Sequence, residues 1–194
     1  MNYRLIRGDF MLRIIGGTAR GIRIKAPDTD KTRPTLDRVK ESVFNILMPY
    51  IADTNVLDLF SGSGNLGIET LSRGASKCVF VDQSKFCTNI ICENLKKVKF
   101  TDRASVLNMT AERAISILAG KGEKFDIIFL DPPYNMNFLV KTLQMLDDFD
   151  IISKDGIIAC EHQEDEIAPI ELGRLIKFKF RSYGDTVYSF YEFT

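Results

Sequence analysis

Apolar and polar residues follow two different periods along the chain. From Asn55 onward, apolar runs of strand length are separated by stretches whose apolar positions recur every three or four residues. The pattern predicts strands at Asn55–Leu59, Cys78–Val81, Ala104–Leu107, Phe125–Leu130 and Gly156–Cys160. Between them it predicts helices at Ser63–Arg73, Lys85–Val98, Thr110–Leu118 and Met136–Leu146. Strands joined by helical crossovers imply an α/β fold with a doubly wound, mostly parallel sheet. Two last runs, Leu175–Arg181 and Thr186–Phe193, flank Tyr183-Gly184-Asp185 and predict an antiparallel hairpin that closes the sheet at seven strands.

The N-terminal part reads differently. Residues 1–10 show no period and form an expected lead, disordered or an over-long start, before Met11. From Leu12 to Ala26, two alternating runs broken by Gly16, Gly17 and Gly21 predict a small β-hairpin. On its second strand Ile22 and Ile24 face one way and Arg23 and Lys25 the other. A polar loop follows, and Thr35 is placed to N-cap a helix from Leu36 to about Met48. The chain thus divides into the lead, a basic hairpin and loop over 11–34, and an α/β domain over 35–194.

Composition changes this picture in three ways. At 194 residues, 45% hydrophobic and 27% charged, the chain suits one globular domain. No apolar run approaches the roughly 18 residues of a membrane span, and no signal-peptide pattern opens the chain, so a cytoplasmic location is expected. Four cysteines without Cys-x-x-Cys spacing and a single histidine, His162, argue against a zinc site or a histidine-based triad, and no metal is expected. A net charge of zero hides a balance of +5 over residues 1–50 against −5 beyond them, which suits a polyanionic partner at the N-terminal segment.

Two stretches carry chemistry. The first predicted strand runs into Asp58-Leu59-Phe60-Ser61-Gly62-Ser63-Gly64-Asn65-Leu66-Gly67, a G-x-G-x-x-G loop between strand and helix. Such a loop lets a ligand approach the backbone at a helix N-terminus. Asp58 just before the glycines would repel a pyrophosphate but accept from a cationic amino end. Asp82, ending the second strand of the series, stands where a carboxylate binds ribose hydroxyls, although it could equally cap the next helix. Asn108, ending the third, is a candidate for an adenine edge. A nucleoside carrying an amino acid is S-adenosylmethionine.

The second stretch is Asp131-Pro132-Pro133-Tyr134, at the end of the fourth strand of the series. The prolines must end that strand, leaving a carboxylate, a carbonyl and an aromatic ring at its tip. Asp131 and the Pro132 carbonyl can accept from an amino group, and Tyr134 can stack on a planar ring; a simple strand-ending turn has the same composition. If this strand neighbours the first, the glycine loop and Asp131 lie side by side.

With these residues the sequence resembles class I S-adenosylmethionine-dependent methyltransferases with a Rossmann-like fold. More closely it resembles the bacterial RsmD family, which methylates the exocyclic N2 of a guanine in 16S ribosomal RNA. The likeness runs from about Arg13 to the end through Arg13-Ile14-Ile15-Gly16-Gly17, Arg33-Pro34-Thr35 with Arg38-Val39-Lys40-Glu41, the Asp58–Gly64 loop, Asp131–Tyr134 and Tyr183-Gly184-Asp185-Thr186. The resemblance implies a final antiparallel strand inserted between the fifth and sixth. It implies that Asp58, Phe60, Ser61, Gly62, Gly64 and Asp82 bind the cofactor and that Asp131, Pro132, Pro133 and Tyr134 hold the target base; Asn108 stands where many relatives have an acid.

Arg13, Arg20, Arg23 and Lys25 are then candidates for RNA phosphates, and Arg33 and Arg38 for either an RNA phosphate or the cofactor carboxylate. The partner expected is 16S ribosomal RNA, within a 30S subunit or an assembly intermediate, bound by a monomer. A DNA adenine-N6 methyltransferase would share both sites but needs a target-recognition region for which this length leaves little room. A non-catalytic RNA-binding module of the same fold is opposed by the intact set of Asp58, glycines and Asp131. Because residues 1–10 precede the recognisable pattern, a chain starting at Met11 should keep its melting temperature and its activity; loss of either would overturn the expectation.

Overall fold

The computed structural model describes residues 11–27, 33–133 and 138–194, without the side chains of 33–36. The expectations for residues 1–10, for the Arg33 side chain and for Tyr134 lie outside these. Ten strands and five α-helices follow one another among the described residues. They begin with β1 (Met11–Arg13), β2 (Arg23–Lys25) and α1 (Arg33–Leu47). Four strand-helix pairs follow: β3 (Asn55–Leu59) and α2 (Asn65–Ser72), β4 (Lys77–Asp82) and α3 (Lys85–Val98), β5 (Ala104–Asn108) and α4 (Ala111–Gly120), β6 (Phe125–Leu130) and α5 (Phe138–Asp148). The chain closes with β7 (Ile152–Gln163), β8 (Glu171–Leu172), β9 (Leu175–Tyr183) and β10 (Thr186–Phe193).

The main sheet runs β5-β4-β3-β6-β7-β10-β9-β8. From β5 to β7 every pairing is parallel, and β10 is antiparallel to both β7 and β9. The inserted last strand is as the family resemblance implied. The count is eight instead of seven, because Glu171–Leu172 adds a two-residue edge strand on β9 too short to leave a periodic signal. A second difference lies at α1, which starts at Arg33, so Thr35 is inside the helix and not its cap. Pro34 permits this, since a proline in the first turn loses no intrahelical bond.

Both faces of the sheet are covered, which explains why consecutive residues are buried in β3, from Val56 to Leu59, and in β6, from Ile127 to Leu130. One core packs hairpin residues Leu12, Ile14, Ala19 and Ile24 with Val43, Phe44 and Leu47 of α1, Ile68 and Leu71 of α2 and Ile91 and Leu95 of α3. The other packs Ala114, Ile115 and Leu118 of α4 and Leu143 and Leu146 of α5 against Leu57, Leu59, Ile128 and Leu130. No helix among the described residues is long and apolar enough to cross a membrane.

The hairpin strands pair Met11 with Lys25 and Arg13 with Arg23, with Leu12 and Ile24 buried between them. Its loop is seated on the end of α2. Thr18 N donates to Ser72 O at 2.8 Å, Ala19 N donates to Ser72 Oγ at 2.9 Å, and that hydroxyl donates to Gly16 O at 2.6 Å. Gly17 has φ +69°, and a Cβ there would lie 1.8 Å from Ser72 O, so the contact admits only glycine.

Beneath the hairpin lies Glu69, fully buried in α2. Its carboxylate accepts from Ile15 N at 2.9 Å, from Lys40 Nζ of α1 at 2.9 Å and from Arg73 Nε at 2.9 Å. Lys40, only 5% exposed, also donates to Arg13 O and to Asn65 Oδ1, each at 2.8 Å. Burial pulls the Lys40 ammonium below the usual lysine range, and Glu69 opposes that shift. Glu69→Gln should therefore lower stability by about 3 kcal/mol, because it leaves a buried ammonium without its counter-charge. The check is the urea midpoint at unchanged slope, and a midpoint equal to wild type would contradict it.

Candidate cofactor and target site

Sheet register fixes which residues meet at the carboxyl ends of the strands. Leu59 of β3 lies opposite Val81 of β4 and Leu130 of β6, and Leu130 lies opposite Cys160 of β7. Phe60, Asp82, Asp131 and Glu161 therefore follow at the same level on four neighbouring tips. Chain order reverses between β3 and β6, which opens a crevice there. The crevice is a cavity of about 700 Å³ whose wall includes Asp58, Phe60, Ser61, Gly62, Asp82, Asp131, Pro132 and Pro133. The glycine loop and the Asp-Pro-Pro segment thus share one cavity, as their places in the sequence predict.

The glycine loop is held from behind. Phe60 has φ +62° and Gly62 and Gly64 have φ +55° and +77°, so the chain turns sharply between strand and helix. Ser61 Oγ donates to Asp58 O at 2.5 Å and accepts from Val81 N at 2.9 Å, an arrangement that directs its hydroxyl into the sheet. A Cβ on Gly67 would lie 2.3 Å from the Phe80 ring, so this glycine sets the close packing of α2 on β4. Gly62 is the opposite case. A Cβ there would meet nothing within 4 Å, so its bare backbone forms the open side of the loop.

Two carboxylates flank that loop. Asp58 is 2% exposed, and its Oδ2 accepts from Gly67 N at 3.0 Å, at the first turn of α2. Burial raises its pKa to about 7; the Gly67 N–H opposes the rise and the nearby Asp82 adds to it. Asp82 accepts from Gly62 N at 2.9 Å and from Ser84 N at 2.8 Å. The cap of α3 is Ser84, which accepts from Cys87 N, and not Asp82. A carboxylate has about four acceptor positions, so Asp82 retains capacity for hydroxyl donors.

Other candidates are placed less directly. Asn108 is opposite Asp82 but turns its amide to the backbone, donating to Asp82 O at 3.1 Å and Gln83 O at 2.9 Å. It braces the loop behind Asp82, and the wall at that corner is made by Gln83, Met109, Thr110, Ala111 and Glu112. Arg13, Arg20, Arg23, Lys25 and Arg38 are all exposed on the hairpin and α1. Arg13 is paired with Asp37 at 2.9 Å and Lys25 with Glu93 at 2.8 Å. His162 is buried, with its Nε2 2.9 Å from Ser189 Oγ and its Nδ1 2.8 Å from Gln163 O, which is a structural role.

The cavity also contains residues that motif spacing does not single out. Glu161 is buried beside the level of Asp131 and accepts from the Tyr188 hydroxyl at 2.6 Å. Tyr183, from the end of β9, enters the wall and donates to Ser42 Oγ of α1. Lys40 reaches the wall from α1. Two of these lie within the Arg38–Glu41 and Tyr183–Thr186 blocks, whose composition alone assigns them no role; Glu161 carries no signal of its own.

A cavity with two acids beside an open glycine backbone disfavours a phosphate and fits a dipolar ligand with a cationic amino end and hydroxyls. With the strand order and the inserted antiparallel β10, this defines a class I S-adenosylmethionine-dependent methyltransferase. Residues 12–192 match the family model described as Conserved hypothetical protein 95. The chain is 40% identical over 181 residues to "Putative rRNA methyltransferase YlbH" of Bacillus subtilis (strain 168), covering 93% of this chain and 98% of that protein. It is 34% identical over 185 residues to "Ribosomal RNA small subunit methyltransferase D" of Escherichia coli (strain K12), covering 95% and 91%. Among solved structures, "Putative methyltransferase yhhF from Escherichia coli" superposes with a TM-score of 0.81 at 33% identity, covering 95% of this chain and 98% of that one. The chain belongs to the RsmD family of methyltransferases.

The buried Asp58 gives a test by pH. An unfolded Asp ionises near 3.8 and the folded one near 7, so the unfolded state loses its proton first. Stability of the cofactor-free protein then falls as pH rises across that window, by on the order of 4 kcal/mol, and levels off above it. Asp58→Asn, which keeps an acceptor for Gly67 N, should match wild type near pH 4 and exceed it near pH 8. A gap that stays constant with pH in urea unfolding would show that the Asp58 proton is not the cause.

Proposed function

We propose that this enzyme transfers a methyl group to the exocyclic N2 of a guanine in 16S ribosomal RNA of the small subunit. The observation that carries the reading is the register of Leu59 with Leu130, which puts Asp131 and Pro132 in the wall of the cavity that holds the Gly62 loop. When bound, S-adenosylmethionine supplies an electrophilic methyl on a sulfonium centre. Gly62, Gly64, Asp58 and Asp82 are the residues suited to hold it.

An exocyclic amino nitrogen is a poor nucleophile because its lone pair is delocalised into the ring. The Asp131 carboxylate and the Pro132 carbonyl, accepting from its N–H groups, favour a more tetrahedral nitrogen whose lone pair is available. Positioning and electrostatics supply most of the gain, and the displaced proton passes to Asp131 or to water. Guanine offers N1–H beside its amino group, two adjacent donors for an acceptor-only carboxylate, whereas adenine offers an acceptor at that place. A paired base cannot reach a strand tip, so the target is looped out or flipped.

Support for RNA as the substrate comes from the name of the Escherichia coli relative and from the exposed basic face of the hairpin. The reading includes a cytoplasmic reaction on the RNA, naked or within a 30S particle. It is tested by transfer of labelled methyl to 16S RNA, to assembling 30S particles and to DNA, followed by nucleoside analysis. N2-methylguanosine supports it; N6-methyladenine in DNA or no transfer overturns it.

Asp131→Ala should slow methyl transfer on the order of 100-fold or more, the loss of one preorganised electrostatic group. Affinity for S-adenosylmethionine, measured by calorimetry, should change little. Asp131→Asn turns one acceptor into a donor aimed at the base edge and should remain badly impaired on guanine. A near wild-type rate for Asp131→Ala, or a defect confined to cofactor affinity, would remove Asp131 from this role.

A further inference from the structure

The strand β9 carries the sequence Lys177-Phe178-Lys179-Phe180-Arg181, in which basic and aromatic residues interleave. β8 covers only its first residues, Leu175 and Ile176, and Lys177 N donates to Ile170 O, so from Phe178 onward its outer edge has no strand partner among the described residues. Phe178 and Phe180 are 38% and 60% exposed, which a core-facing strand would not allow. A shallow groove of about 410 Å³ lies here, lined by Phe178, Lys179, Phe180, Arg181 and Ser182.

Pairing with β10 shows where this row leads. Residues directly opposite in an antiparallel pair project from the same face. Lys179 is opposite Phe190, Arg181 opposite Tyr188 and Tyr183 opposite Thr186. Tyr183, Thr186 and Tyr188 all line the cofactor and target cavity. Lys179 and Arg181 therefore share the cavity's face of the sheet and continue its wall outward along β9. Phe178, at the bulge, turns to that face as well, with its ring 6.3 Å from that of Phe190.

The same face carries α1, tied to β9 by the bond from Tyr183 to Ser42 and to the hairpin by Lys40 and Asp37. The basic hairpin thus stands on one side of α1 and the β9 row on the other. Neither Lys179 nor Arg181 makes an ion pair with a carboxylate within the described residues, and both charges are available to an external anion.

We propose that Lys179, Arg181 and Phe178 form a second RNA contact, across α1 from the hairpin, that holds the single-stranded segment flanking the target base. The cations meet phosphates and the exposed ring stacks on a neighbouring base, the combination used for unpaired strands. The proposal rests on RNA being the substrate. Between RNA and a protein partner, charge decides: from Gly173 to Tyr183 the strand and its approach hold four basic residues and no acidic one.

The test compares wild type with Lys179→Gln combined with Arg181→Gln, and separately with Phe178→Leu. Binding of a fluorescently labelled transcript of 16S RNA is followed at several salt concentrations. The double variant should bind several-fold more weakly at low salt, and its slope of log affinity against log salt should be shallower by about 1.4, two phosphates at roughly 0.7 each. Phe178→Leu should weaken binding without altering the slope. Cofactor affinity and melting temperature should match wild type for both, and methyl transfer at saturating RNA should be unchanged. RNA affinity and salt slope equal to wild type would overturn the proposal, as would a loss seen only with particles containing ribosomal proteins. If wild type methylates neither the transcript nor assembling 30S particles, the substrate assignment fails first and the β9 contact fails with it; methylation of particles without binding to the transcript overturns the β9 contact alone.

Discussion

A fully buried carboxylate, Glu69, is the constraint on which the site depends. Its three donors come from three parts of the chain: the hairpin backbone at Ile15, Lys40 of α1 and Arg73 at the C-cap of α2. An ionised group withdrawn from water is tolerable only when its acceptor positions are filled, so the hairpin and α1 must dock together and in one register. Lys40 carries the constraint to the site by holding Asn65, the first residue of the helix that the glycine loop opens. The Arg73 guanidinium lies 4.7 Å from the centre of the Phe44 ring and closes the cluster toward the core.

The tips of the sheet have the opposite character. Asp58, Asp82, Asp131 and Glu161 stand on four adjoining strands, and those tips carry no lysine or arginine at the same level. Such a mouth attracts a cation and hydrogen-bond donors and repels phosphate. A polyanionic substrate must then be gripped away from the place where its base is delivered. Exposed basic residues lie elsewhere, on the hairpin, on α1 and at Arg181 of β9.

Much of this fold is legible in the amino-acid pattern alone. The strands Asn55–Leu59 and Phe125–Leu130 and the helix Lys85–Val98 have the limits that periodicity assigns them, because sheet strands buried on both faces and an amphipathic helix leave clean patterns. The glycine loop and the Asp-Pro-Pro tip are legible because each needs residue types with special backbone behaviour. Glu69 is not, since a glutamate in mid-helix reads as solvated and its burial depends on partners as far away as Ile15, 54 residues upstream. Glu161 is hidden in the same way, inside a long strand and satisfied by Tyr188 from 27 residues downstream. The turn of the Asn108 amide toward Asp82 O and Gln83 O is not legible either, because a side chain at a strand tip can turn to its neighbour's carbonyls as readily as outward. Thr35 misleads because a cap residue and a first-turn residue look alike when a proline stands between them and the true start.

The wiring of Ser61 has a consequence for how ligands are met. Its hydroxyl is engaged on the sheet side by Asp58 O and Val81 N, while Asp82 holds the Gly62 amide from the other. Both sides of the loop are thus fixed by the protein's own hydrogen bonds, so a ligand that meets it would cost little ordering entropy. With the cofactor bound here as proposed, discrimination between it, its spent form and mimics would come from shape and charge in a fixed mould, not from a loop that folds around whichever molecule arrives. A competitive inhibitor built to that mould would gain from stiffness of its own.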